Sequence, residues 1–139
     1  ALKSVRNQTP PLGYFIMVDL DRFKEINDQY GHPEGDRALK GVTHCLKETM
    51  GEQCIIGRMG GDEFAALLCE DIPADELEAS LKLFQARIHR IRWGEHHLTC
   101  SVGVFPVKAG LSPEELYQEA DRLLYAAKEQ GRDRYVIGQ

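Results

Sequence analysis

Hydrophobic and polar residues follow one another along the chain in blocks whose spacing predicts strands and helices. A continuous apolar run over residues 13–18 is typical of a buried strand, which we expect at about residues 14–19. Apolar residues then recur at helical spacing, over a short helix at about residues 22–29 and over a longer one after it. The longer helix begins near Pro33 or Glu34, where proline suits the first turn, and stops at Gly51. The chain therefore opens with one strand followed by two helices.

Two short apolar runs, residues 55–56 and 64–68, surround Gly60 and Gly61 and lie within predicted strands at 54–58 and 63–69. Because glycine takes positive φ at no steric cost, this arrangement predicts two strands joined by a tight turn. A third helix is predicted from Pro73 to Gly94. Its core-facing stripe consists of Leu77, Leu81, Phe84, Ile88 and Ile91.

The last third of the chain predicts a strand, a helix and a short closing strand. Residues 96–105 alternate as a strand, a capping box at residues 112–115 opens a helix that ends at Gly131, and residues 135–137 form the closing strand. His96 and His97 are neighbours in the predicted strand and point to opposite faces, so we expect exposed side chains and no chelate. The order β-α-α-β-β-α-β-α-β does not alternate as in a doubly wound fold. It predicts an α+β domain with a mostly antiparallel sheet and flanking helices, which we expect on one face.

Length and composition are typical of one globular domain. The chain has 139 residues, and its polar first segment, residues 1–12, is interpreted as a linker or the remnant of an N-terminal segment before a domain at 13–139. The formal net charge of −5 provides no basic footprint for nucleic acid. No apolar stretch approaches the length of a membrane span, so we expect no membrane contact from this domain. The cysteines are predicted to be buried free thiols of a cytoplasmic domain: Cys45, Cys54, Cys69 and Cys100.

Two acidic elements follow predicted strands. Asp62 and Glu63 come directly after the two glycines, and Asp19 and Asp21 flank Leu20 where the first strand ends. The simplest interpretations are a solvated hairpin tip and an aspartate that caps the next helix, which we favour for Asp21. Neither explains Asp19. If antiparallel strands bring Asp19 opposite the glycine turn, Asp19, Asp62 and the Leu20 carbonyl could share a hard cation.

Three motifs, in order, resemble those of the GGDEF-domain diguanylate cyclases. Residues 19–36 are similar to the pattern D-x-D-x-F-K-x-x-N-D-x-x-G-H-x-x-G-D, and residues 58–64 match the motif that names the family. Residues 120–132 are similar to A-D-x-x-L-Y-x-A-K-x-x-G-R. The resemblance extends over residues 13–137. It implies a ferredoxin-like core similar to nucleotidyl cyclases, and an enzyme that condenses two GTP molecules into cyclic di-GMP.

The resemblance also implies roles for individual residues. The metal, Mg²⁺ with Mn²⁺ as the alternative, would be held by Asp19, the carbonyl of Leu20, Asp62 and Glu63. Catalytic roles fall to Asp62, Glu63 and Lys24, with the division between the two acids left open. The residues expected to bind GTP are Asn27, His32, Asp36, Gly60, Gly61, Lys128 and Arg132. Of these, Asp36 suits guanine because a carboxylate accepts from both N1–H and the exocyclic amine, a donor pair that adenine lacks. His32 has a second interpretation, as a helix N-cap.

Several positions depart from the family pattern. Gly51 and Cys54 occupy the places of the R-x-x-D product-inhibition site, so we expect no inhibition of that type. Asp133 replaces the usual asparagine beside Arg132 and is expected to weaken triphosphate binding somewhat. Arg58 either takes part in inhibitory or dimer contacts or simply flanks the hairpin. The usual D-x-L-T-x-L-x-N-R stretch before the first strand is absent, with residues 4–7 at best its remnant.

The product has two-fold symmetry, so the resemblance implies a homodimer in which each domain holds one GTP. Because the chain does not begin with Met, we expect a longer protein whose N-terminal region carries a sensor or dimerisation element and can tether it to a membrane. The alternative function is a non-catalytic, GTP-binding regulatory module. Degenerate members of that kind usually lose Asp62 or Glu63, both present here. A cyclase that makes an adenine-containing dinucleotide is a third hypothesis, against which Asp36 argues.

Overall fold

The structure is a computed structural model that describes residues 12–139. Residues 1–11, which hold nearly all of the predicted linker, lie outside the described part. The elements in chain order are β1 (Gly13–Leu20), α1 (Phe23–Tyr30), α2 (His32–Met50), β2 (Ile55–Gly60), β3 (Glu63–Leu68), α3 (Ala74–Ile88), β4 (Arg92–Trp93), β5 (His96–His97), β6 (Cys100–Val107), α4 (Pro113–Glu129) and β7 (Arg134–Ile137).

Five strands form the main sheet in the order β2-β3-β1-β6-β7. The pairs β2–β3, β3–β1 and β1–β6 are antiparallel, and β6–β7 is parallel. The predicted α+β class with a mostly antiparallel sheet is therefore confirmed. β1 lies at the centre, which explains why its sequence is a continuous apolar run: a central strand covered on both faces needs apolar residues at odd and even positions.

Helices cover both faces of the sheet, so the expectation of one covered face is wrong. Ile16 and Val18 belong to the larger apolar cluster with α2 and α3, whereas Met17 packs with Leu123 and Leu124 of α4. Gly103 of β6 allows α4 to come close, because a Cβ built on it would lie 2.3 Å from the Leu124 backbone nitrogen.

The segment between α3 and β6 also differs from the prediction. α3 ends at Ile88, and β4 and β5 pair with each other as a separate two-stranded hairpin. Gly94, at φ +63°, forms its turn and does not end a helix. His96 and His97 are exposed, as expected, but they belong to this hairpin, and β6 starts only at Cys100.

Three of the four cysteines are buried, and the prediction is wrong for Cys69, which follows β3 and is exposed. Burial raises the pKa of Cys54 to about 11 and that of Cys100 well above its usual range. Across residues 12–139, we find no helix with the length and apolarity that crossing a bilayer requires.

Candidate nucleotide and metal site

The end of β1 lies beside the β2–β3 turn. In the antiparallel register Asp19 pairs with Glu63, and the Leu20 N–H donates to the Asp62 carbonyl at 3.1 Å. This is the arrangement that the sequence predicted for the two acidic elements. The turn itself is formed by Gly61 and Asp62, since Gly60 still pairs with Glu63 in the ladder. Asp62 is therefore a turn residue.

Arg58 closes this hairpin from β2. Its Nε and Nη2 donate to the Gly61 carbonyl at 3.0 and 2.5 Å. Gly61 adopts φ +38°, which favours glycine. Of the two interpretations of Arg58, these bonds support a residue that flanks and stabilises the hairpin.

The carboxylate of Asp19 is the most perturbed acid of the site. Asp19 is only 7% exposed, and its Oδ2 is paired with Lys128 Nζ. Burial raises the pKa of Asp19 to about 6, the hydrogen bond from Lys128 opposes this effect, and the nearby Asp62 adds to it. Among residues 12–139, Asp19 Oδ1 has no hydrogen-bond partner. A buried carboxylate oxygen without a partner beside a second carboxylate is a place that favours a cation.

Lys128 links α4 to this acidic corner. Partial burial lowers the pKa of Lys128, but its bond to Asp19 and the charges of Asp62 and Glu63 outweigh burial, so the pKa is raised. The ammonium group is thus held in its charged form. It neutralises only part of the negative charge contributed by the three carboxylates.

The oxygens of this corner fit a hard divalent cation. Asp19 Oδ1 and the Asp62 carboxylate are oxygen donors of the kind that Mg²⁺ prefers. The Leu20 carbonyl as a third ligand stays a prediction. Within residues 12–139, no three His, Cys, Asp or Glu side chains converge on one point. Mg²⁺ suits such a site because it usually binds one or two carboxylates and completes its shell with water and phosphate oxygens. Glu63 as a further ligand stays a prediction.

Glu63 has a neighbour that the sequence analysis missed. Tyr117 Oη donates to Glu63 Oε1 at 3.4 Å, and the Glu63 charge, followed by burial, raises the pKa of Tyr117. Tyr117 lies one turn into α4, 54 residues away from Glu63 along the chain. No local pattern indicated this contact.

The predicted guanine-binding residues meet where α1 joins α2. Asn27 lies against the first turn of α2, since a Cβ built on Gly35 would lie 1.9 Å from Asn27 Oδ1. The missing side chain of Gly35 therefore allows the Asn27 amide to lie against the residue that precedes Asp36. Asp36 is exposed, as a residue that binds an incoming ligand must be. Lys24, in the first turn of α1, is exposed too.

His32 is the first residue of α2, and the N-cap position is Gly31. The alternative interpretation of His32 as an N-cap is therefore wrong. Its side chain is exposed, and its predicted place in the nucleotide pocket remains a prediction.

Asp21 does not cap α1, contrary to the expectation. The N-cap residue is Arg22, at φ 57°, without a side-chain cap bond. The buried Asp21 carboxylate instead accepts from Thr99 Oγ1 at 2.6 Å, Ser101 Oγ at 2.7 Å and the Asp133 N–H at 3.0 Å. It connects β1 to β6 and to the turn that precedes β7.

Arg132 lies in that turn and is exposed. It also lines a cleft of about 490 Å³ between α1, the β4–β5 hairpin and the turn. Of the predicted site residues, Arg132 alone is among the described residues that line this cleft. The cleft therefore does not contain the acidic corner, although Asp21, two residues after Asp19, lines it.

The glycine turn leaves open space above it. Within the described part of the chain, no atom lies within 4 Å of a Cβ built on Gly60 or Gly61. Gly60 has no positive φ either, so neither packing nor backbone conformation requires glycine there. A ligand that must lie close to the backbone is a physical reason for a glycine at such a position.

The fold and the acidic corner describe an α+β domain with a candidate metal site, and comparisons with known proteins identify the family. The family "Diguanylate cyclase, GGDEF domain" matches residues 1–134. The chain is 33% identical over 143 residues to the probable diguanylate cyclase DgcT of Escherichia coli K12, covering 98% of this chain and 31% of that protein. It is 36% identical over 128 residues to the diguanylate cyclase DgcP of Pseudomonas aeruginosa, covering 87% of this chain and 18% of that protein. This chain thus spans a third or less of these relatives.

Solved structures agree with the sequence match. The active GGEEF domain of a diguanylate cyclase from Vibrio cholerae has a TM-score of 0.81 at 28% identity, covering 99% of this chain and 88% of that one. The GGDEF domain of DgcB from Caulobacter crescentus, in complex with cyclic di-GMP, has a TM-score of 0.80 at 25% identity, covering 98% and 82%. The chain belongs to the GGDEF family of diguanylate cyclase domains.

Proposed function

We propose that this chain is the catalytic domain of a diguanylate cyclase, which joins two GTP molecules into cyclic di-GMP and releases two pyrophosphates. The observation that carries the proposal is the meeting of Asp19, Asp62 and Lys128 at the end of β1. The names of the relatives support the same activity. Non-catalytic relatives usually lose one of the hairpin acids, whereas this chain keeps Asp62 and Glu63.

Asp19, Asp62 and the Leu20 carbonyl would hold the metal, with Glu63 as a further ligand or as the base. We favour Mg²⁺, and Mn²⁺ suits the same oxygens. When bound, the metal supplies charge neutralisation on the triphosphate and polarises the reacting phosphate. Gly60 and Gly61 leave room for phosphates directly against the backbone of the turn.

In the reaction, the 3′-oxygen of one GTP attacks the α-phosphorus of the other. The bond between that phosphorus and the bridging oxygen breaks, and its electron pair leaves with pyrophosphate. The proton of the 3′-hydroxyl passes to a hairpin carboxylate, Glu63 or Asp62. Lys24, Lys128 and Arg132 offset the charge that develops on the leaving pyrophosphate, the electrostatic task that dominates such reactions.

Guanine is recognised by Asn27 and Asp36, with His32 at the edge of the same pocket. The Asp36 carboxylate accepts from N1–H and the exocyclic amine. Adenine would leave this carboxylate without a donor, which costs binding free energy. The substrate is therefore GTP in preference to ATP.

Two copies of the domain face each other during catalysis. Each domain contributes one metal site and one GTP, and cyclic di-GMP contains two equivalent 3′–5′ bonds, so a two-fold axis relates the two sites. We expect the separate domain to be slow unless a dimerising element brings the copies together. The domain acts in the cytoplasm, where GTP is available, whether or not the longer protein is tethered to a membrane.

This chain also lacks the product-inhibition site of many relatives. The two positions that would carry it are Gly51, at the end of α2, and Cys54, which is buried. Neither can offer the guanidinium and carboxylate that such a site requires. Cyclic di-GMP is therefore expected not to slow the enzyme through this surface.

The test is incubation of the domain with GTP and Mg²⁺ at high protein concentration, with product detection by mass spectrometry. The same domain fused to a dimerising coiled coil provides the second arm. We expect cyclic di-GMP from the parent and none from Asp62→Ala, while Asp71→Ala, an exposed acid beyond β3, serves as the matched control. GTP binding without product in either arm would favour the regulatory, non-catalytic module, and product from ATP would favour the adenine-containing alternative.

A further inference from the structure

Asp133 is held at three of its polar groups by residues from two other parts of the fold. Its N–H donates to Asp21 Oδ2 at 3.0 Å, and its carbonyl accepts from Gln85 Nε2 at 3.2 Å. Its carboxylate oxygen Oδ1 lies 2.7 Å from His89 Nε2. Gln85 lies on α3 and His89 is its C-cap, whereas Asp21 follows β1. We call Asp21, Gln85 and His89 the Asp133 clamp.

The clamp holds a backbone that is unfavourable by itself. Arg132 has φ 64° and Asp133 has φ 48°, so two consecutive non-glycine residues are left-handed. Side chains with a Cβ rarely adopt this conformation, and it persists only where the surroundings determine it. Asp133 stands where the family pattern has asparagine, and its carboxylate gives His89 a charged acceptor.

The direction of the Arg132 side chain depends on this turn. Arg132 directly precedes the clamped residue, and its own N–H is bonded to the Ala127 carbonyl at 3.0 Å. The Asp133 N–H belongs to the peptide group that follows Arg132, so its bond to Asp21 fixes the plane of that peptide and with it ψ of Arg132, whose side chain is exposed. Asp21 also lies two residues after Asp19, so the clamp connects the turn directly to the acidic corner.

We propose that Asp21, Gln85 and His89 are positioning residues that hold Arg132 towards the β- and γ-phosphates of the nucleotide. This inference rests on the proposed function, in which Arg132 binds the triphosphate. A purely structural role of the clamp would affect every nucleotide equally. Loss of a positioning residue weakens binding of the β- and γ-phosphates that Arg132 reaches. It leaves binding of guanine and of the α-phosphate unchanged.

The test compares binding of two nucleotides by isothermal titration calorimetry in the presence of Mg²⁺. One is GMP. The other is the GTP analogue with a methylene group between the α- and β-phosphates, from which pyrophosphate cannot leave. The ratio of the two dissociation constants isolates the contacts to the β- and γ-phosphates.

We expect Arg132→Ala to weaken binding of the analogue about tenfold, the typical effect of losing a charge-assisted hydrogen bond, with GMP binding unchanged. His89→Ala is expected to weaken analogue binding about threefold to tenfold, again without an effect on GMP. His89→Gln should restore it, because the glutamine amide can still donate to Asp133. His44→Ala is the matched control, because it removes the histidine of a different histidine–carboxylate pair, which His44 forms with Glu48 on α2.

The double variant of Arg132→Ala and His89→Ala gives the sharpest result. If His89 acts through Arg132, the double variant binds the analogue no more weakly than Arg132→Ala alone. Asp21→Ala should behave like His89→Ala, while Asp21→Asn keeps an acceptor for the Asp133 N–H and retains binding. If Asp21→Ala does not fold, the His89 series, at a half-buried side chain, decides the question.

The proposal is overturned if the folded clamp variants bind the analogue as tightly as the wild type, or if they weaken GMP and analogue equally. It is also overturned if Arg132→Ala leaves analogue binding unchanged, a result under which the proposed cyclase function still stands. If the wild type binds neither nucleotide, the proposed function fails and this inference fails with it.

Discussion

Replacing Asp19 by asparagine should stabilise the protein at neutral pH in the absence of divalent metal, although it removes a predicted metal ligand. The Asp19 carboxylate is buried, its Oδ1 has no partner among residues 12–139, and Asp62 lies nearby. In the unfolded chain the same carboxylate is hydrated at no cost. The native state therefore pays for a charge that only a bound cation would fully compensate.

The magnitude follows from the two pKa values of Asp19. In the folded protein the pKa is about 6, compared with an ordinary value of 3.8, and a difference of about two pH units corresponds to roughly 3 kcal/mol. This difference already includes the hydrogen bond and charge of Lys128, which lower the folded-state pKa, so the loss of that partner is not subtracted again. Lys128 keeps the charges of Asp62 and Glu63 beside it when Asp19 is replaced. We expect a net gain of up to about 3 kcal/mol in the free energy of unfolding.

The sign of the pH dependence follows from proton binding. Between pH 4 and 6 the native state of the wild type binds more protons at Asp19 than the unfolded state, so its stability falls as pH rises. The advantage of Asp19→Asn should therefore be smallest near pH 4, grow through this range, and stay constant above it.

Urea denaturation of both proteins at pH 4.5 and 7.5, with and without Mg²⁺, measures the effect. Mg²⁺ should stabilise the wild type and have little effect on Asp19→Asn, because ligands stabilise the state that binds them. An Asp19→Asn protein that is less stable than the wild type at pH 7.5 without metal would refute the reasoning. So would an advantage that is independent of pH.

Three further substitutions test the packing and the base-binding pocket. Gly103→Ala places a Cβ against the α4 backbone and should lower the free energy of unfolding by about 3 kcal/mol. Gly57→Ala is the control and should change it far less, because Gly57 has open space around it in the described structure. Urea denaturation compares the two variants. Gly35→Ala displaces the Asn27 amide and should lower kcat/KM for GTP while the protein stays folded. Initial rates of product formation measure the loss, with the same Gly57→Ala variant as control. Asp36→Asn turns an amide hydrogen towards the guanine N1–H and should reduce kcat/KM for GTP at least about tenfold. The ratio of GTP to ATP turnover measures this loss of base selectivity. An unchanged ratio would remove Asp36 from base recognition.

Most of the fold could be predicted because its signals are local. Apolar periodicity located β1, α1, α2 and the β2–β3 hairpin to within one or two residues, and it placed α4 behind its capping box. The error at the end of α3 arose because a glycine there has more than one possible role. Gly94 is compatible with a helix end or with a hairpin turn, and only the pairing of β4 with β5 distinguishes them.

The candidate site was partly predictable for a different reason. Antiparallel pairing of β1 and β3 is enough to bring Asp19 and Asp62 together, and the sequence analysis had to assume that pairing, which the structure shows. Asp21 was misjudged because capping is the common local explanation for an aspartate before a helix. Its true partners, Thr99, Ser101 and Asp133, lie 78, 80 and 112 residues away along the chain.

The sequence by itself determined most of the elements and their order, the α+β class and, through three motifs, the family. These properties depend on side-chain periodicity, turn chemistry and residue identity, all of which can be read within short windows. The tertiary structure alone decided that α4 covers the second face of the sheet, that Lys128 pairs with Asp19, and that Asp133 is clamped. Those contacts depend on strand register and on how closely helices approach the sheet, which emerge only when distant segments pack together.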